Sequence, residues 1–140
     1  MKLRSLAIAA AAVLPLSALA VEPNIQPGEW ELNSVTTFPG TPMPEQTESS
    51  RECVTAEDLA EGLAFDVDVE GCEITDMDLR EGGMNYSMSC QDDEGFEMTM
   101  DAELLFMGDQ TEGTMQAQML TPMGPMEMHM ELDGRRIGDC

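Results

Sequence analysis

The chain has 140 residues, with 28 acidic side chains against six basic ones and a single histidine, for a formal net charge of −22. That balance argues against nucleic acid and anionic membrane surfaces as partners, since both are held through basic patches. The length suits one domain with a modest core.

Residues 1–20 have the layout of a secretory signal peptide. Lys2 and Arg4 form a positive start, Leu6 to Leu16 an apolar run too short to span a bilayer, and Ala18-Leu19-Ala20 a small-residue cleavage site. The expected mature chain, 21–140, is a single exported domain, periplasmic or secreted, with no membrane insertion. Its charge is more lopsided still. Only Arg51, Arg80, Arg135 and Arg136 remain against all 28 acids, a net −24. An acidic, aromatic-poor chain can be disordered. Here the apolar residues are too regularly patterned for that, and looseness is expected only near Val21 to Ile25 and in the proline-rich loop from Phe38 to Pro44.

Along the mature chain, Trp30 to Phe38 predicts a first strand and Thr47 to Val54 a weaker second. Thr55 can cap a short helix, with Asp58 closing a capping box and Leu59 and Leu63 sharing a face. Glu73 to Arg80 predicts a third strand, bulged where the apolar parity slips between Ile74 and Met77. Four further segments alternate strictly between apolar and polar: Met84 to Cys90, Phe96 to Leu104, Met115 to Met119 and Met126 to Asp133. Period-2 alternation marks strands with one dry and one wet face. Gly82-Gly83, Asp92 to Gly95, Gly108-Asp109 and Pro122 to Pro125 supply the turns. The expected fold class is all-β: an antiparallel meander of about seven strands in a curved sheet or small, partly open barrel, with one short helix. Connections this short make sequential strands neighbours.

Cys53, Cys72, Cys90 and Cys140 form an even set, and an exported chain points to two disulfides out of three connectivities. Zinc is the rival, but C-x-x-C spacing is absent and His129 is the only histidine. Cys72 and Cys90 flank two adjacent strands almost symmetrically about Gly82, which favours a cross-strand bridge and leaves Cys53 for Cys140.

Several blocks together resemble a known family. They are Gln26-Pro27-Gly28-Glu29-Trp30-Glu31, Cys53-Val54-Thr55, Gly71-Cys72, Met88-Ser89-Cys90 and the closing Gly134-Arg135-Arg136-Ile137-Gly138-Asp139-Cys140. The family comprises small exported bacterial proteins catalogued as domain of unknown function 3617. The resemblance covers essentially the whole mature chain and implies an envelope or secreted location. It brings no activity, cofactor or catalytic residue.

Methionine is the main compositional anomaly: thirteen follow the leader, against eight leucines. Thioethers suit copper(I), and Met126, Met128 and Met130 are the candidate ligands, with Trp30 a possible flank. On a strand these three share a face and His129 takes the other, so no Met–His site forms from this segment alone. The simpler reading is a curved core filled by flexible, polarisable side chains. Asp66-Val67-Asp68-Val69-Glu70-Gly71 opens like a calcium loop, yet the closing position, residue 77, is a methionine. Catalytic machinery is thin, because the mature chain has no lysine, no nucleophile motif near its histidine, and cysteines expected to be oxidised. The expectation is a cofactor-free, non-catalytic binding or structural module. Its apolar, methionine-rich face would meet its own core, a lipophilic small molecule or an envelope protein; the residues do not fix its oligomeric state.

Overall fold

A computed structural model describes residues 21–61 and 69–140. The expected leader, Leu63 and the Asp66–Asp68 start of the calcium-like run lie outside these residues. Seven strands form one sheet: β1 (Gly28–Thr37), β2 (Gln46–Val54), β3 (Cys72–Arg80), β4 (Gly83–Gln91), β5 (Glu97–Phe106), β6 (Gln110–Thr121) and β7 (Gly124–Gly138). Their order across the sheet is β2-β1-β7-β6-β5-β4-β3, and every neighbouring pair is antiparallel. The sheet is open, with β2 and β3 as its edges. The all-β, largely meandering architecture matches the expectation, with one correction. β2 and β3 follow each other in the chain but occupy opposite edges, because β7 returns to pair with β1 and takes the place a simple meander would leave empty.

The alternation read from the sequence becomes two faces. On the dry face, Met84, Tyr86, Met88 and Cys90 of β4 are all buried, as are Met100, Ala102 and Phe106 of β5. The opposite face carries carboxylates, amides and hydroxyls. The register of β3 against β4 shifts between Ile74 and Asp76, placing a bulge where the apolar parity slips. Turn chemistry does the rest. Asp92 Oδ1 accepts from the backbone N–H groups of Glu94 and Phe96, both at 2.9 Å, and Gly95 takes the positive φ that closes that turn.

The N-terminal segment shows that the sheet curls. The Asn24 N–H donates to Glu81 O (2.7 Å) in the β3–β4 turn, Gln26 N–H donates to Gly108 O (2.9 Å), and Gly28 already begins β1. Four residues reach at most about 14 Å. In a flat sheet β1 and the β3–β4 turn would stand about 21 Å apart, four and a half strand spacings. The sheet therefore bends, and residues 24–27 strap one mouth of the trough. Ile25 packs onto the core cluster behind this strap, so this segment is ordered rather than loose. At the same end the Trp30 indole N–H donates to Gln26 O (3.0 Å), with its ring buried to 3% exposure. Beside it Gly134 makes room for Thr111 and Leu32, since a Cβ there would lie 2.5 Å from Thr111 Cγ2 and 2.7 Å from Leu32 Cδ2.

The helix α1 (Ala56–Glu61) is one short turn and a half, capped reciprocally. The Asp58 N–H donates to Thr55 Oγ1 (3.1 Å), and the Thr55 N–H donates to Asp58 Oδ2 (2.9 Å). Two disulfides fasten opposite corners. Cys72–Cys90 joins directly opposed residues of β3 and β4 at the open mouth, whereas Cys53–Cys140 ties the end of β2 to the C-terminus at the strapped mouth.

Candidate binding face

Register alone assembles the most distinctive surface of the molecule. Across β5, β6 and β7 the dry face presents three rows: Met98, Met119 and Met126; then Met100, Ala117 and Met128; then Ala102, Met115 and Met130. Seven of these nine positions are methionine, and Ala117 stands at the centre. Alternation put each methionine on the dry side, but only strand pairing brings the three columns level. Met98, Met100, Met115 and Met119 were not singled out by sequence, because a ladder of partners is invisible within any one strand.

Burial is graded over this surface. Ala117 is 2% exposed and Met100 7%, both covered by neighbouring side chains. Met98, Met115, Met119, Met126, Met128, Met130 and Leu132 are half-buried. Beyond the Met98, Met119 and Met126 row, Met123 at the tip of the β6–β7 turn is bare, with 98% of its surface exposed. The dry face holds a pocket of about 30 Å³ beside Tyr86, Ala102, Leu104, Met115, Met130 and Leu132. That is room for about one water. Larger hollows, of about 330 and 260 Å³, open on the polar face. The bigger is walled by Glu103, Glu112, Glu131 and Asp133 over Val35 and Leu105.

The candidate copper ligands Met126, Met128 and Met130 share the dry face of β7, spaced along one strand. Their cross-strand partners are Met119, Ala117 and Met115. Trp30 does not flank them. It pairs across from Arg136, while Met130 pairs across from Thr36, six residues further up β1 and about 20 Å away. His129 points to the polar face, opposite Gln116, and is exposed. Among the described residues, no three of His, Cys, Asp and Glu gather closely enough to hold a metal ion.

All four arginines of the described chain are engaged. Glu31 of β1 receives Arg135 of β7 at 2.8 Å and Arg51 of β2 at 3.3 Å, tying three strands together. Arg80 pairs with Asp78 at 3.3 Å, and Arg136 pairs with Asp139 while donating through Nε to Pro27 O (2.7 Å). The hydrogen bond from Arg135, with its charge and that of Arg51, holds the Glu31 carboxyl below the usual glutamate range. The Thr55 hydroxyl does the same for Asp58, and burial pushes the Tyr86 phenol up. Each shift has a structural cause in a cap, an ion pair or the core.

The first and last of the sequence blocks that carried the family resemblance meet in space, whereas Gly71-Cys72 and Met88-Ser89-Cys90 lie together at the open mouth. Trp30 opposes Arg136, Glu31 opposes Arg135 and Leu32 opposes Gly134, so the N-terminal and C-terminal motifs are one β1–β7 seam. Gly28 belongs to that seam by close approach, since a Cβ there would sit 2.4 Å from both Arg136 Nε and Gly138 O. These residues build the strapped mouth. No helix among the described residues is long and apolar enough to cross a membrane. The family model described as Protein of unknown function (DUF3617) matches residues 25–140. No curated protein and no solved structure matches the chain.

Proposed function

Starting from the fact that the chain belongs to this family of unknown function, we propose that it is an exported, non-catalytic binding or structural module of the cell envelope whose methionine-lined sheet face is its working surface. The observation carrying this reading is the cluster of seven methionines among nine adjacent positions, half-buried toward the open mouth and continued by the bare Met123. Methionine is flexible and polarisable, so such a face repacks against its target and favours tolerant recognition. The small dry-face pocket favours a partner laid on the surface over a stored lipophilic molecule. Export is supported by the leader-like residues 1–20 and is compatible with two disulfides. The non-catalytic reading draws on a lone, exposed histidine and on shifted carboxyls already explained by ion pairs and caps.

Native mass spectrometry of the protein isolated from its own periplasm or medium tests this reading. A stoichiometric protein partner or lipid-sized adduct, lost when Met119, Met126 and Met128 are replaced by charged residues, supports it. A bare monomer with neither adduct nor partner, or a partner that stays bound after those replacements, overturns it.

A further inference from the structure

Ala117 is the one short side chain at the centre of a thioether ring, and this arrangement selects one kind of ligand. Its nearest dry-face neighbours are Met100 and Met128 directly across on β5 and β7, and Met115 and Met119 two residues away along β6. Cross-strand Cα separations are about 4.5–5.5 Å, and same-face neighbours on one strand lie about 7 Å apart. Each methionine has three rotatable bonds ending near a soft sulfur, so four arms from four sides can converge above one alanine methyl. A leucine or another methionine in its place would fill that convergence point. We infer that Met100, Met115, Met119 and Met128 form a binding site for a soft monovalent cation of the copper(I) or silver(I) type, centred over Ala117.

The chemistry of the surroundings fits that class and disfavours others. Thioethers are soft, neutral donors that suit copper(I) and have little affinity for calcium or magnesium, which take oxygen ligands. No carboxylate, imidazole or free thiol stands on this patch; the adjacent Cys90 is committed to Cys72. A cation held by neutral ligands in an apolar setting retains its charge at a desolvation cost. The field of a chain with a formal net charge of −22 offsets part of that cost and raises the local cation concentration. Of the three methionines that follow one another on β7, only Met128 adjoins Ala117. Met126 and Met130 stand diagonal to it.

This site rests on the methionine face being the working surface, and it can fail while that reading stands. The test is an anaerobic titration of the disulfide-bonded protein with copper(I) against a competing copper(I) chelator. One ion should be retained per chain. M115L, M119L and M128L combined should weaken it by at least about tenfold, a scale reached even by changes outside the ligand set. M126L with M130L should leave affinity within about threefold, less than 1 kcal/mol. Leucine for methionine conserves volume, so these variants should fold. A measurement on the unaltered chain guards against one that does not: copper(I) should shift the methyl resonances of Met100, Met115, Met119 and Met128, and leave those of Met43 and Met123 in place. No retained ion, equal losses in both variants, or shifts confined to Met126 and Met130 would each overturn the site. A chain that refuses copper yet carries an apolar adduct or protein partner removes the metal and leaves the binding module intact.

Discussion

At the scale of single residues, Glu31 is the most consequential charge, because one carboxylate joins β2, β1 and β7 through Arg51 and Arg135. Its folded-state pKa is depressed, so its contribution is present above the ordinary glutamate value of 4.5 and is lost as pH falls through the lower folded value. Thermal unfolding from pH 7 down to strongly acid solution should therefore show E31Q less stable than the parent at neutral pH, with the two curves merging at the acid end. A constant gap between them would mean that the ion pairs contribute nothing. The residue scale is also where the sequence was least informative about function. Each methionine could be assigned to the dry side by parity, but the grouping around Ala117 depends on which residue of β6 lies level with Met100 and Met128. The sequence of one strand contains no such information. His129 and Trp30 drew attention by rarity alone. Pairing removes both from the patch, His129 by parity and Trp30 by some six residues of strand.

At the scale of elements, β2 is held unlike any other strand. Like β3 it has no buried residue, but its dry side alone is wholly polar, with Gln46, Glu48, Ser50 and Glu52, so almost no hydrophobic burial secures it. It is kept by its ladder to β1, by Arg51 and by the Cys53–Cys140 bridge. Inward-facing charge of this kind also protects an edge from adding further strands. In the chain-entropy model the 87-residue separation makes that bridge worth roughly 4–5 kcal/mol, although measured effects are often smaller. In the double variant C53S/C140S, hydrogen exchange should accelerate first in Gln46–Val54 and then along the freed side of β1, with β4 to β6 protected as before. Uniform acceleration over the sheet would show instead that the bridge stabilises the whole fold rather than this strand. The weakness of β2 was legible, since its segment lacks alternation. So were the capping box at Thr55 and the bulge after Ile74, because each is written in adjacent residues. The place of β2 beside β1 was legible too, from the short connection, but its distance from β3 was not, as β7 claims the other side of β1.

At the scale of the whole molecule, charge and curvature dominate. Four ion pairs engage three carboxylates among the described residues, leaving a large excess negative charge to repel itself across the polar face. Glu112 lies directly opposite Asp133, an unfavourable cross-strand pair. The melting temperature should accordingly rise as sodium chloride is raised from near zero to about 0.15 M, where screening acts beyond roughly 8 Å. A flat response would show that the fold tolerates its charge without help from salt. Curvature was only half legible: seven one-faced strands demanded some covering, but the strap by residues 24–27 emerges from hydrogen bonds to Glu81 and Gly108 that no pattern announces. The position of β7 has a further consequence, in time rather than in space. Of the seven described strands it comes last in sequence and is the longest, and it alone joins the β1–β2 hairpin to the other four. A chain synthesised from its N-terminus therefore waits, with β1 unpaired on one side, until the fifteen residues of β7 arrive. Pairing the first strand with the last gives a high contact order, and folding should be slow and committed only at the end. Until then the protein exists as two incomplete sheets, and whatever guards it in that interval must guard the exposed side of β1.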